Sequence, residues 1–265
     1  MSSLDWQAVR QEVSELAIMV GRYQLDNLGK AGLTIETKTT GIDLVTEIDK
    51  RSEEQIVAFI QNRYPGHAIL AEESGHTGSD SDYLWVIDPL DGTTNYAQGL
   101  PVFAVSIALQ HRSKTVLGVV YAPGVDQMFT AISGQGAYCN GRPISVSLKE
   151  DLKECVLATG FPYDVASHAD NNLDYFNHFL VRSRAIRRFG AAAYDLAGVA
   201  CGMFDGYWEM CLKPWDAAAG MLLVQEAGGT VVSFREDRSI AIIAGNRVIC
   251  QKIAAGLRQV DDQRS

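Results

Sequence analysis

Apolar and polar residues alternate along this chain with two different periods. Trp6, Val9, Val13, Leu16 and Val20 recur at three- and four-residue spacing, which predicts an amphipathic helix over residues 4–20. A glycine-rich patch at 29–32 breaks the pattern, and "IETKTTGIDLVTEID" then offers only short strand-like apolar pairs. Helical spacing returns from Lys50 to Tyr64 with Ile56, Phe59 and Ile60 inward, and Pro65-Gly66 stops it. From there "AILAEES", "YLWVID", "VFAVSIALQ", "TVLGVVYAP" and "QMFTAI" read as successive strands. "HTGSDSD" is a polar loop between the first two, and Asn140-Gly141 is a strong hairpin turn. The run is antiparallel β, more continuous than βαβ alternation gives.

The rhythm changes near residue 150. "CVLATGF", "AIRRF", "GYWEM", "TVVSF" and "IAIIAG" read as strands. Helices are expected over 171–181, in the alanine-rich "GAAAYDLAGVACG", in "KPWDAAAGMLLVQEAGG" and over 246–257. Pro214 fits a first helical turn and Gly228 a C-terminal stop. No flexible linker marks the change. The expectation is one unit spanning 1–265, with possible subdomains 1–150 (mixed α+β) and 151–265 (α/β) sharing an interface. Disorder is expected only in the tail after Leu257, "RQVDDQRS".

Composition narrows the class. The 265 residues suffice for a large core, and 47 % apolar with 21 % charged residues is ordinary for a soluble globular protein. The net charge is −9 and there is no long Lys/Arg run, so no nucleic-acid or membrane partner is expected. The cysteines Cys139, Cys155, Cys201, Cys211 and Cys250 form no CxxC and are odd in number. They read as reduced thiols in a cytoplasmic protein. The start, "MSSLDWQAVRQEV", has no apolar signal core, and no stretch is long and apolar enough to span a membrane.

Three acidic features stand where an apolar element ends. Glu72 and Glu73 close "AILAEE", Asp88 and Asp91 follow "WVI", and Asp216 sits in the first turn of the helix begun by Pro214. Taken singly, each has a plain structural explanation: a solvent-facing strand end, an Asp-Gly turn, an acid complementing a helix dipole. If the three termini converge, their carboxylates would repel one another and some would protonate unless a divalent cation joined them. An all-oxygen set favours Mg²⁺ or Mn²⁺ over Zn²⁺. Two such ions can clamp the attacking and leaving oxygens of a phosphoryl transfer. Gly92 lets backbone approach a ligand, and Thr93-Thr94 open a short helix whose N–H groups suit a phosphate.

The segment "LWVIDPLDGTTNY" resembles the first signature of the inositol monophosphatase family, and "WDAAAGMLLVQEAGG" its second; "DLVTEID" and "AEES" match two further blocks in the family's order. The resemblance runs from about Leu4 to Leu257. It implies an α+β fold, a layered α-β-α-β-α sandwich, in a homodimer. It also implies a lithium-sensitive phosphomonoesterase using two or three Mg²⁺ ions. Carried onto this chain, it makes Glu72, Asp88, the Leu90 carbonyl, Asp91 and Asp216 metal ligands. Gly92 and Thr93 hold the phosphate, and Asp49 hydrogen-bonds Thr93. Asp91, Ala192, Glu209 and Asp216 contact substrate, while Lys38 lies on a loop over the site. The implied mechanism is in-line hydrolysis, with Glu72 and the Thr93–Asp49 pair orienting a water and accepting its proton and Asp216 helping to protonate the leaving group. The substrate this implies is a small phosphate monoester, inositol 1-phosphate first. Fructose 1,6-bisphosphate, NADP, 3′-phosphoadenosine 5′-phosphate and histidinol phosphate are the alternatives. Some bacterial relatives are partners of the transcription machinery, so a regulatory protein-binding role stands beside or instead of catalysis. The five histidines are scattered, and none is expected to be catalytic.

Overall fold

The structure, a computed structural model, describes residues 4–264 apart from 31, 33, 39 and 79. Residues 31 and 79, in the predicted glycine-rich and polar loops, and Ser265 lie outside the described residues. In the first part come α1 (Trp6–Asn27), β1 (Ile35–Thr37), β2 (Leu44–Thr46), α2 (Glu47–Arg63), β3 (Ala68–Ala71), β4 (Gly75–Thr77), β5 (Tyr83–Asp91), α3 (Thr93–Ala97), β6 (Ala104–His111), β7 (Lys114–Ala122), β8 (Gln127–Ile132), β9 (Ala137–Cys139) and β10 (Arg142–Pro143). There follow β11 (Val156–Thr159), α4 (Leu173–Leu180), β12 (Ala185–Arg187), α5 (Ala192–Ala200), β13 (Gly206–Leu212), α6 (Pro214–Glu226), β14 (Thr230–Arg235), β15 (Ile240–Gly245) and α7 (Arg247–Arg264).

Two sheets carry the architecture, one of order β10-β9-β8-β7-β6-β5-β3-β4 and one of order β12-β11-β13-β15-β14. Strand alternation sorts their side chains into layers. Trp85, Ile87, Val105, Ile107 and Val119 pack with Val13, Val20, Ile56 and Ile60, so α1 and α2 cover the outer face of the large sheet. Val86, Ala104, Ala108 and Val120 point the other way, into a core shared with α5, α6 and the inner residues Ala158, Tyr207 and Ile242 of the small sheet. Leu157, Trp208 and Ile243 face α4 and α7 beyond it. The order is α-β-α-β-α, as the resemblance implied.

Small residues make the middle layer possible. Gly118 on β7 lies so close to α6 that a Cβ there would meet the Ala219 backbone at 2.9–3.4 Å. Gly118→Val is therefore expected to destabilise the protein by about 1 to 3 kcal/mol, read from a denaturant midpoint. An unchanged midpoint would mean that α6 does not rest on the sheet here.

Three elements differ from the sequence expectation. Helix α1 runs past residue 20 to Asn27, because the buried Gln24 continues the inward stripe one turn after Val20 and donates to Pro89 O at 2.7 Å and Ser52 Oγ at 3.2 Å. A polar residue in that stripe hides the continuation from a hydropathy reading. The tail after Leu257 is helical through Arg264: Leu257 and Val260 are buried, and Arg264 pairs with Asp174 and lies 4.7 Å over the Tyr175 ring. Gly75–Thr77, which runs into the predicted loop, instead pairs antiparallel with β3 at the sheet edge, from Ile69↔Thr77 to Ala71↔Gly75. No described helix is long and apolar enough to cross a membrane.

Candidate active site

Strand pairing brings the first acids together. β3 and β5 are parallel with Ala71 opposite Ile87, so their C-terminal ends set Glu72 beside Asp88. The β5–β6 register shifts between Asp88 and Asp91, and this bulge carries the chain into the turn at Gly92. Gly92 has φ 94°, and a Cβ there would meet Val102 O at 3.0 Å and Ala191 at 3.2 Å. Only glycine suits that turn. Asp216 comes from the opposite side, as the third residue of α6, and accepts from Lys213 N at 2.7 Å.

Glu72, Asp88, Leu90, Asp91, Gly92, Thr93, Ala192, Glu209 and Asp216 all line one cavity of about 640 Å³ between the two sheets, with Lys38 at its edge. Asp49 stands behind this lining. It is wholly buried, and its Oδ2 accepts from Thr46 N at 2.9 Å and from the Thr46 hydroxyl, closing a capping box at the start of α2. Its Oδ1 accepts from Thr93 Oγ1 at 2.7 Å. That bond consumes the Thr93 proton and leaves the hydroxyl oxygen's lone pairs as acceptors. Asp91 caps the middle layer: its carboxylate accepts from Ala192 N (2.9 Å), Ala193 N (2.9 Å) and Tyr194 N (3.2 Å) at the start of α5. Ala192 thus fixes Asp91 through its N–H.

The electrostatics follow from burial and crowding. Burial, then Glu72, Asp91 and Asp216, hold the Asp88 carboxyl well above the usual range. Burial pushes Asp91 up to about 7 against the opposing helix N–H groups, and Asp216 up to about 8 with Glu72 and Asp91 adding to it. Burial likewise raises Glu209 to about 7, although Tyr207 Oη donates to its Oε2 at 2.6 Å. Lys38 places its Nζ 2.7 Å from Glu72 Oε1 and also pairs with Glu73. Burial works against that ammonium, but the two glutamates outweigh it and hold its pKa above the ordinary value.

Among the described residues, no three His, Cys, Asp or Glu side chains are already drawn together as an ion cage. The set nonetheless fits a hard divalent cation. Its donors are carboxylates and one carbonyl, and neighbouring acids add to the burial that holds Asp88 and Asp216 above the usual carboxyl range.

Several lining residues escape sequence reasoning. The 160–164 segment forms one wall, and Arg238 crosses to it by donating to Asp164 and to Asp170 O. Arg188 lines the same cavity. Asp195 on α5, which is not part of the lining, is buried, and among the described residues its Oδ1 has no hydrogen-bond partner. These residues come from loops and helices far apart in sequence. The Thr46 cap is the exception, since Thr-x-x-Asp before an apolar stripe is a helix-start pattern. The histidines lie elsewhere: His67, for example, accepts from Trp85 Nε1 at 3.0 Å between stacked Tyr64 and Tyr83 rings.

Known proteins share this arrangement of chain and fold. The model of the inositol monophosphatase family matches residues 5–262. An inositol-1-monophosphatase from Synechocystis is 44% identical over 224 residues, covering 84% of this chain and 78% of that protein. The Nus factor SuhB of Salmonella typhimurium is 45% identical over 221 residues, 82% of this chain and 83% of its own. The crystal structure of the extragenic suppressor protein suhB from Bartonella henselae superposes with a TM-score of 0.89 at 40% identity, covering 94% of this chain and 98% of the other.

Proposed function

Because this chain belongs to the inositol monophosphatase family and is a phosphomonoesterase, we propose that it hydrolyses small phosphate monoesters with Mg²⁺, inositol 1-phosphate first among them. The observation that carries this reading is the cavity shared by Glu72, Asp88, Asp91 and Asp216, in which burial and crowding by neighbouring acids hold Asp88, Asp91 and Asp216 above the usual carboxyl range and call for a cation. Together with the Leu90 carbonyl they would hold two or three Mg²⁺ ions. The chemistry such ions supply when bound is Lewis-acid: they acidify water and stabilise the charge that develops on the leaving oxygen.

The chain's own groups do the rest. Thr93, its proton engaged by Asp49 at 2.7 Å, can only accept from an attacking water, so it orients that water in line with phosphorus. Glu72 takes the water's proton once it is free of Lys38, and the Thr93–Asp49 pair shares that role. Gly92 and Thr93 seat the phosphate. Asp216, which enters the cavity from the first turn of α6, helps to protonate the leaving alkoxide. Glu209, Ala192 and Asp91 meet the hydroxyls of the alcohol. Lithium inhibition and a homodimer complete this reading.

The test is phosphate release by the purified protein with and without Mg²⁺, across inositol 1-phosphate, fructose 1,6-bisphosphate, NADP, 3′-phosphoadenosine 5′-phosphate and histidinol phosphate. Turnover is expected only with Mg²⁺ and fastest on inositol 1-phosphate. A clear preference for another ester would reassign the substrate, and no turnover by folded protein would sink the catalytic reading. The similarity to a protein named Nus factor supports a second reading, protein binding alongside catalysis. Capture of a partner that survives Asp88→Asn would separate the two roles, and no capture by either form would remove the second.

A further inference from the structure

Glu209 and Gly160 meet in an unusual way. β11 and β13 run parallel with Thr159 opposite Trp208, so the residues that follow, Gly160 and Glu209, are neighbours at the cavity wall. A Cβ built on Gly160 would fall 2.0 Å from Glu209 Oε1, 2.3 Å from Cδ and 2.4 Å from Oε2. The Glu209 carboxylate thus occupies the space that any other residue at 160 would fill with its own first carbon.

The backbone around Gly160 is held so that neither strand can yield. Asn172, wholly buried, donates through Nδ2 to Thr159 Oγ1 at 2.9 Å and to Gly160 O, and accepts at Oδ1 from Trp208 Nε1 at 2.7 Å. Thr159 Oγ1 donates to Trp208 O at 2.6 Å. Trp208 precedes Glu209, so this buried polar clasp ties the glycine to the strand that carries the carboxylate. Tyr207 fixes the head group from the other side with its 2.6 Å bond to Oε2.

We propose that Gly160 is a specificity-determining positioning residue: its missing side chain seats the Glu209 carboxylate at the depth where it meets the hydroxyls of a polyol phosphate. This rests on the assignment of Glu209 to the substrate's hydroxyls made above. Gly160 makes no bond to substrate in this scheme. It acts by leaving room, and the Asn172–Thr159–Trp208 clasp makes that room fixed in place.

The experiment compares kcat/KM for inositol 1-phosphate with that for phenyl phosphate, which has no polyol hydroxyls, in a double-mutant cycle. Gly160→Ala is expected to cost inositol 1-phosphate at least about ten-fold more than phenyl phosphate, chiefly through KM, because a hydroxyl-reading site loses discrimination when its acceptor moves. Glu209→Asp alone shortens the reach and also lowers discrimination. In the Gly160→Ala background the same change withdraws the carboxylate from the new methyl group and should raise discrimination, so its sign reverses. Additive losses, or equal losses on both substrates, overturn the proposal. If Gly160→Ala does not fold, recovery of the melting transition in the double variant reports the same collision, and failure of both overturns it. Glu209→Ala tests the premise separately: unchanged discrimination there, or no turnover of inositol 1-phosphate by the parent enzyme, refutes the polyol assignment itself. A loss with Glu209→Ala and none with Gly160→Ala refutes the role of Gly160 alone.

Discussion

Asp88→Asn protein is expected to lose more than about a hundred-fold of its Mg²⁺-dependent kcat while melting no lower than the parent. Asp88 is 2 % exposed, sits beside Glu72, and feels the charges of Glu72, Asp91 and Asp216. Its Oδ1 accepts from Leu90 N at 3.0 Å, a bond that an asparagine oxygen can also make. The substitution therefore keeps the local turn and shape and removes only the charge that a cation needs. Without the cation, that charge is a burden: burying it costs free energy that nearby carboxylates increase. The neutral amide relieves this cost, so the variant should gain thermal stability in EDTA even as it loses turnover. Phosphate release and a thermal melt on the same preparation check both halves. Near-normal turnover would remove Asp88 from the ion site, and a lowered melt in EDTA would show that its carboxylate supports the fold in some other way.

Stripped of divalent ions, the parent protein should become less stable as pH rises from about 5 to about 8.5. Asp91 titrates at about 7 and Asp216 at about 8 in the folded chain, and Asp88 well above its usual range. In the unfolded chain such carboxyls titrate at about 3.9. Between those values the native state holds protons that the unfolded chain has released. The stability these groups contribute is thus complete below the unfolded pKa and is lost as pH climbs through the folded ones. Each unit of difference is worth about 1.4 kcal/mol, so a fall of at least about 5 °C in Tm across this window is expected. Saturating Mg²⁺ should reverse the trend, because ion binding takes the deprotonated acids and is strongest at the alkaline end. A Tm in EDTA that rises with pH would contradict the picture of mutually repelling, buried carboxylates.

The parts of the site legible in the sequence are those written in consecutive residues. "DPLDGTT" puts two acids, a left-handed glycine and a hydroxyl within one short segment, and the structure gathers them at one bulge and one turn. Asp216 is legible because Pro214 marks a helix start. What sequence spacing cannot supply is contact between distant segments. Gly160 and Glu209 are neighbours across a strand pair whose facing residues are 49 positions apart, and glycine carries no side chain to draw attention. Arg238 reaches Asp164 between two loops, neither of which has a periodic pattern. The fold follows the same division. Strands and helices come from the two hydrophobic periods, whereas their stacking into layers depends on which faces are small. The alanines and glycine that admit α6 gain that meaning only beside it. Where an element outruns its predicted end, at Gln24 and at Arg264, a polar side chain with a buried or ion-paired partner replaces the apolar residue that periodicity looks for.

Trp215 stands one residue before Asp216 and lines the cavity, whereas Trp85 and Trp208 are sealed in separate cores and Trp6 lies on α1 against Tyr83. One indole out of four is therefore within reach of whatever enters. Its fluorescence is a built-in optical gauge of occupancy: titrating ions or product into the native protein and following emission reports their arrival without a label or a turnover, against a background that the sealed indoles keep constant.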